Sequence, residues 1–380
     1  MLNLADYDYI LPSRLIAQQP AEPADSCKLL VYDKKTKQIV NTTFNQFPKL
    51  IDPNTLVVFN TSKVLKARLP LTFEDETKGE VFYVHSYDAY SFDALVRPGK
   101  KFRTWDRIPL CDNVYCTVEA ITKDGRHLTC SHPILEVLEK YGQMPLPPYI
   151  SYDEIKAAPY QPIFAKRPGS VASPTASLHF TQRVLDELNA KGVQHMDVVL
   201  HVGLGTFKQV DTPDITQYDI HAEQIEITNQ TFVQLANAKI TGKPVLAVGT
   251  TVARTLETLP YARKRISQEQ KEFLFSEEVV SYRNALTEHI DHATVQKYVD
   301  HIAYHETTTS FTAGSKLFIY PWFTFLILDE LITNFHLPKS SLLMLVAGFI
   351  GLDETKKIYE HAISHEYMFY SFGDAMWIRS

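Results

Sequence analysis

Several short stretches combine the side chains that proton transfer and ligand binding require. In "DIHAEQIEI", His221 and Glu223 stand two residues apart; on an extended strand that spacing turns both side chains to one face. A histidine within reach of a carboxylate can pass protons near neutral pH, though the same pair also suits an ordinary surface strand. In "ITNFHLPKSSLLMLV", Asn334, His336, Lys339 and Ser340 follow an apolar run and precede another, so His336 is either a satisfied loop residue or a group facing a pocket. In "PTASLHFT", residues 174–181, Thr175 and His179 lie among further hydroxyls just before a helical pattern begins.

Two glycine-bearing turns complete the set. "LHVGLGTF" places Gly203, Gly205 and Thr206 at the end of an apolar run, where glycine serves either a tight turn or close approach of backbone to ligand. It is neither a dinucleotide fingerprint, since Lys208 stands where the third glycine is needed, nor a phosphate-binding Walker loop. "AVGTTVART" sets Gly249, Thr250 and Thr251 between an apolar strand and a helix, with Arg254 one turn further on. The first amides of a helix attract a carboxylate or phosphate and a guanidinium adds a charged fork; alternatively, Thr250 or Thr251 simply caps the helix.

Other chemistries find no support. H-x-E opens a zinc-deaminase signature, but the P-C-x-x-C that must follow is missing. His301/His305 and His361/His365 have helical spacing without the glutamate of a metalloprotease motif, so no metal is expected. The Gly-x-Ser-x-Gly elbow of an esterase is absent.

The elements that must position these residues change texture along the chain. "TLVVFN", ending at Asn60, is one strong strand. Between Leu69 and Cys130 short strand-like runs alternate with turn signals such as "RPGKK" and "KDGR", the pattern of a small antiparallel barrel. Arg97, Lys100, Lys101 and Arg103 flank one of these turns beside Trp105, either as a solvated face or as phosphate contacts. The Pro-rich "MPLPPYI" reads as a stiff exit from this unit. Helix and strand then alternate: Thr181 caps a helix that Gly192 ends, "MDVVLHV" is a strand, "NQTFVQLANAKITG" a helix stopped at Gly242, and "PVLAV" a buried strand. Such alternation predicts an α/β domain with a mixed or parallel sheet, and functional residues at the carboxyl ends of its strands. The expected organisation is a discontinuous α/β domain, residues 1–66 and 151–380, carrying an inserted barrel, 67–150, and a polar helical insertion at about 259–310.

With 380 residues and 45% hydrophobic content the chain can bury a large core. A net charge of −6 argues against a broadly basic nucleic-acid binder and leaves room for a local basic patch. Four cysteines without metal-finger spacing read as reduced thiols of a cytoplasmic protein. The opening residues carry acids rather than a basic start before an apolar run, and Pro321, Asp329 and Glu330 break up the most apolar stretch, so neither a signal peptide nor a membrane span is expected.

The motifs together resemble the S-adenosylmethionine:tRNA ribosyltransferase-isomerase family of queuosine biosynthesis. "GSVASPTASLHFT", "LHVGLGTFKQV", "HAEQIEI", "AVGTTVARTLE", "LFIYP", "LITNFHLPKSSLLMLV" and "YSFGDAMWI" carry the resemblance, with "DYDYILPSRLIAQQP", "LVRPGK" and "GQMPLPPYI". It extends over nearly the whole chain. The sequence departs from the family pattern in having Ser177 and Trp322 where glycine is usual, Lys316 where aspartate is usual, Ala222 and Val252 where serine is usual, and Thr61-Ser62-Lys63 in place of Asp-Thr-Arg.

The resemblance implies an α/β domain with an inserted barrel. It also implies transfer and isomerisation of the ribosyl part of S-adenosylmethionine onto 7-aminomethyl-7-deazaguanine at the wobble position of tRNA, giving epoxyqueuosine-tRNA with loss of adenine and methionine. S-adenosylmethionine is then a substrate, no cofactor is permanently bound, and the protein is expected to act as a monomer. Several proton transfers in one pocket call for several histidines and a carboxylate: His179, His221, Glu223 and His336. Thr175, Gly203, Gly205, Thr206, Gly249, Thr250, Thr251, Arg254, Asn334 and Lys339 are the expected ligand contacts, and Arg97, Lys100, Lys101 and Arg103 the tRNA contacts. Two other functions fit the same sequence: a different S-adenosylmethionine-dependent RNA-modifying enzyme, such as a methyltransferase, or an RNA-binding paralogue without catalysis.

Overall fold

In a computed structural model, the structure describes residues 2–123, 125–151, 157–203, 205, 209–259, 264–265, 274–275, 280–281 and 310–380. Its centre is four parallel strands in the spatial order Gln194–Leu200, Leu56–Asn60, Val245–Val248 and Glu330–Asn334. Their carboxyl ends therefore open on one edge, bringing together the residues that follow Leu200, Asn60, Val248 and Asn334. Antiparallel strands extend the sheet on both sides: Glu223–Thr228 and Ser310–Lys316 beyond Gln194–Leu200, and Ala375–Arg379 beyond Glu330–Asn334. Lys28–Asp33 and Ile39–Thr43 close the far edge of a ten-stranded sheet.

The central strands are buried on both faces, which explains their unbroken apolar runs. Val58, Val245, Ala247 and Leu331 point to one side, against Val252, Leu256, Met344 and Ile358 of the helices Thr250–Thr258, Ser341–Ile350 and Leu352–Ser364. Val57, Phe59, Leu246, Val248 and Ile332 point to the other, against Phe44, Phe47, Phe180, Val184 and Leu188. The helix Gln182–Ala190 starts as its sequence predicts: the Thr181 side chain accepts from the Val184 amide.

The runs between Arg68 and Cys130 form a six-stranded antiparallel sheet whose first and last strands, Arg68–Thr72 and Arg107–Cys111, come into contact, so that it is a nearly closed barrel. A helix not anticipated from the sequence, Ile134–Tyr141, adds Ile134, Val137 and Leu138 to its core. The chain passes from the large sheet into the barrel along Ser62–Val64 and returns along Arg167–Ser170, and these segments pair in parallel as a two-stranded ribbon.

Of the polar stretch 259–310, the described parts beyond its two ends are the short strand pieces Lys264–Arg265, Leu274–Phe275 and Val280–Ser281. The expected helical insertion otherwise falls outside the described residues, as does Thr206. All four cysteines are free thiols. Among the described residues no helix is long and apolar enough to cross a membrane.

Candidate active site

A cleft of about 590 Å³, part of it open to solvent, lies at the carboxyl ends of the four parallel strands. Each segment brings one group of residues to it. The turn after Glu330–Asn334 supplies Asn334, Phe335, His336 and Leu337; the start of the helix Thr250–Thr258 supplies Gly249, Thr250 and Thr251; the approach to the helix Gln182–Ala190 supplies Ser173, Pro174, Thr175 and Ala176. Val202, Tyr149, Tyr370 and Ser371 complete the wall.

The helix Thr250–Thr258 begins at Gly249, whose φ of 94° a glycine adopts without strain. No side chain caps this start, so neither threonine takes the capping role and the first amides remain available to an anion at the positive end of the helix dipole.

His336 is the one imidazole lining the cleft among the described residues. Its Nε2 lies 2.9 Å from Thr333 Oγ1, and its backbone is clamped on both sides: the amide donates to Tyr359 Oη at 3.0 Å and the carbonyl accepts from the Tyr9 hydroxyl. Burial pushes its pKa down to about 3, so the ring is neutral at physiological pH. Its Nδ1 has no hydrogen-bond partner among the described residues.

His179 does not line the cleft. It is buried behind it, with Nε2 accepting from Asn334 Nδ2 at 3.2 Å and Nδ1 3.2 Å from Cys27 Sγ. Burial lowers its pKa to about 4, and the neutral tautomer that satisfies both contacts carries its proton on Nδ1. Asn334 in turn accepts from Thr175 Oγ1 at 3.0 Å through Oδ1, so His179 reaches the cleft only through Asn334.

His221, Glu223 and Arg254 form a second group beside Gly203 and Gly205. Glu223 is fully buried and pairs with Arg254, accepts from the Gly203 amide at 3.1 Å, and lies 3.6 Å from His221 Nε2. Burial alone would raise its pKa, but the Arg254 guanidinium, His221 and the amide outweigh it and hold the carboxylate down at about 2. The Arg254 Nε–H donates to the Leu317 carbonyl at 3.1 Å. A Cβ on Gly205 would fall 1.8 Å from the His221 ring, so any side chain there would force the imidazole to move. Through the Gly203 amide the group holds the backbone next to Val202 on the cleft wall.

The remaining expected contacts lie elsewhere. Lys339 pairs with Asp8 at 2.7 Å, outside the cleft lining. Arg97, Lys100, Lys101 and Arg103 sit on the barrel; Lys101 pairs with Asp75, Arg97 lies 3.8 Å from Glu80, and Lys100 and Arg103 are exposed.

Several residues escaped sequence reasoning. Tyr149 bonds through its hydroxyl to Ser371 Oγ at 2.6 Å. Ser62 lies 3.1 Å from His201 Nδ1 and bonds to Ser170, whose Oγ accepts from the Val202 amide at 2.9 Å, tying the inter-sheet ribbon to the cleft wall. "PPYI" and "YSFGD" were visible as family-like stretches, but hydroxyls and phenols in such segments carry no spacing that marks a site.

A family model described as "Queuosine biosynthesis protein" matches residues 4–378. The chain is 38% identical over 380 residues to the S-adenosylmethionine:tRNA ribosyltransferase-isomerase of Carboxydothermus hydrogenoformans, covering 99% of this chain and 100% of that one. It is 36% identical over 379 residues to the enzyme of the same name from Thermotoga petrophila, with 99% and 100% covered. The crystal structure of S-adenosylmethionine tRNA ribosyltransferase from Thermotoga maritima is similar with a TM-score of 0.51 at 29% identity, covering 98% of this chain and 99% of that one.

Proposed function

The chain belongs to the queuosine biosynthesis protein family, and from that membership we propose that it is an S-adenosylmethionine:tRNA ribosyltransferase-isomerase. It moves the ribosyl part of S-adenosylmethionine to the exocyclic amine of 7-aminomethyl-7-deazaguanine at the tRNA wobble position and rearranges it to the epoxycyclopentanediol of epoxyqueuosine; adenine and methionine leave. It works as a cytoplasmic monomer.

The observation that carries this reading is the convergence of Thr175, Gly249, Thr250, Thr251, Asn334 and His336 on one cleft at the carboxyl ends of four parallel strands. The uncapped helix start at Thr250 suits the methionine carboxylate. Thr175 and Asn334 offer hydroxyl and amide groups to the ribose. The sulfonium acidifies the adjacent ribose carbon, so a modest base suffices to remove its proton, and among the described residues His336 is the imidazole that lines the cleft to serve as that base. Adenine needs a proton to depart, and the protonated His336 that results can return one. His179 orients Asn334, and the Glu223–Arg254 pair with His221 holds Gly203 and Gly205. On the barrel, Arg97, Lys100, Lys101 and Arg103 contact tRNA phosphates, and affinity falls with salt.

The test is incubation with methyl-labelled S-adenosylmethionine and tRNA bearing the deazaguanine amine. The tRNA should gain the cyclopentanediol mass, adenine should be released, and the label should appear on free methionine. Label on the RNA would make the protein a methyltransferase. tRNA binding without adenine release would make it a non-catalytic paralogue.

A further inference from the structure

Among its described lining residues the cleft has no aspartate, glutamate, lysine or arginine. The ligand assigned to it carries a permanent positive charge on sulfur. In a site without a carboxylate, a group that favours a cation is the face of an aromatic ring, whose quadrupole is negative there.

Three rings contribute to the wall: Tyr149, Phe335 and Tyr370. The Phe335 ring is fully buried and packs against Tyr359, Tyr367 and Phe369 in the core. Tyr149 and Tyr370 instead meet each other, with ring centroids 4.9 Å apart and planes inclined at 55°, which makes a concave aromatic corner. They lie 221 positions apart in the chain, and each is held in place. The Tyr149 hydroxyl bonds to Ser371 at 2.6 Å, and its carbonyl accepts from Gln18 Nε2 at 3.0 Å. Tyr370 has a φ of 73°, a left-handed conformation unusual for a bulky residue, and its amide donates to the Phe335 carbonyl at 2.9 Å. Backbone strain of this kind persists where surrounding contacts over-determine it, and it clusters at ligand sites.

We propose that Tyr149 and Tyr370 form the cation-recognising corner of the cleft, binding the sulfonium against their ring faces and so distinguishing S-adenosylmethionine from its neutral thioether counterpart. This rests on the S-adenosylmethionine reading above. Burial holds the Tyr149 phenol up at about 12, so the ring acts as a neutral π surface. Recognition by ring face rather than by carboxylate has a functional sense here: a fixed negative charge beside the sulfur would stabilise the sulfonium ground state and oppose removal of the neighbouring proton, whereas a π face favours the cation more weakly.

The experiment is calorimetric titration of wild type and of Tyr149→Leu, Tyr370→Leu, Tyr149→Phe and Tyr370→Phe with S-adenosylmethionine and with S-adenosylhomocysteine, which lacks the charge. Wild type should prefer the sulfonium. Each leucine variant should lose about 5- to 30-fold of that preference, the size of a desolvated cation–π contact, while binding the thioether within about 2-fold of wild type. The phenylalanine variants should keep the preference, because the face and not the hydroxyl provides it. Equal weakening of both ligands in the leucine variants would overturn the proposal, as would loss of preference in the phenylalanine variants. Should one leucine variant fail to fold, the other decides alone. The functional reading is judged separately by the tRNA product, so normal ribosyl transfer with unchanged ligand preference in the variants would remove this inference and leave that reading intact.

Discussion

Asn334 donates through Nδ2 to Nε2 of His179 at 3.2 Å and accepts through Oδ1 from Thr175 at 3.0 Å. One amide thus links a buried imidazole to a hydroxyl on the cleft wall, and each of its polar ends holds one of the two partners it can take. His179 is therefore a positioning residue: it selects which end of the Asn334 amide faces Thr175. If so, the losses on removing the two partners are not additive. Asn334→Ala, His179→Ala and the double variant should lose kcat/KM to a similar extent, and the double should lose no more than about 3-fold beyond the worse single. A double variant whose loss equals the product of the singles would give His179 an independent task in the reaction.

Buried titratable groups predict a pH profile with opposing parts. His179 and His336 have pKa values lowered by burial to about 4 and about 3. The unfolded chain therefore binds more protons than the folded one below about 6.5, and stability falls as pH drops through that range. Glu257 shifts the other way. It is fully buried at the end of the helix Thr250–Thr258, and burial raises its pKa to about 7 even though Oε1 accepts the Ile327 and Leu328 amides at 2.9 and 2.8 Å and Oε2 the Leu326 amide at 2.9 Å. Its folded form keeps a proton longer than the unfolded form, so its contribution is lost as pH rises from about 4.5 to about 7. Glu257→Gln removes that titration. Its stability relative to wild type, from urea unfolding at pH 4.5 and 7.5, should improve by roughly 2–3 kcal/mol on going to the higher pH. The constant offset should be unfavourable, because the glutamine NH2 would face the Leu326 amide. A pH-independent difference would show that Glu257 titrates as an ordinary carboxylate.

The Glu223–Arg254 pair predicts an asymmetry between single and paired replacement. Glu223→Ala leaves Arg254 buried without its counter-charge and the Gly203 amide without its acceptor, and should cost about 3–5 kcal/mol. Arg254→Met leaves the carboxylate in the same position and should cost a similar amount. The double replacement Glu223→Ala with Arg254→Met removes both charges and should cost much less than the two single replacements together. The readout is the urea midpoint of the four proteins; additive costs in the double variant would mean that the two side chains do not form a coupled pair.

The architecture was largely legible because its signals are local. Short runs broken by "RPGKK" and "KDGR" can only pair as hairpins, and they form the antiparallel barrel. "TLVVFN" and "PVLAV" are apolar on successive residues, as strands buried on both faces must be. The candidate cleft was legible as a set of turns, since residues at the carboxyl ends of parallel strands must converge. Depth was not legible. Whether His179 or His336 faces the cleft depends on how the turn Thr175–His179 packs against Asn334, which no spacing within "PTASLHFT" encodes. Tyr149 and Tyr370, 221 positions apart by their numbers, meet only through the return of the chain from the barrel to the large sheet. Ser177 marks a different limit: its side chain is fully buried and its hydroxyl has no partner, and nothing in the structure explains its presence where the family pattern has glycine.

Trp322 is the departure whose effect the backbone does explain. Tyr320, Pro321, Trp322 and Phe323 form a turn closed by the Phe323 amide donating to the Tyr320 carbonyl at 3.2 Å. Pro321 occupies the second position and Trp322 the third, with φ of 78°. This is the type II arrangement, in which the third residue needs a positive φ and glycine is favoured. Tryptophan pays the steric cost of that conformation, roughly 1–2 kcal/mol, and its ring is 75% exposed, so little packing offsets it. Glycine relieves the strain but widens the unfolded ensemble by about 0.5–1 kcal/mol. Trp322→Gly should therefore raise stability by about 0.5–1 kcal/mol, seen as a higher urea midpoint with an unchanged slope. Trp322→Ala keeps an L-residue at the same φ and should gain nothing. A matching gain from alanine would trace the effect to removal of the exposed ring and not to the turn.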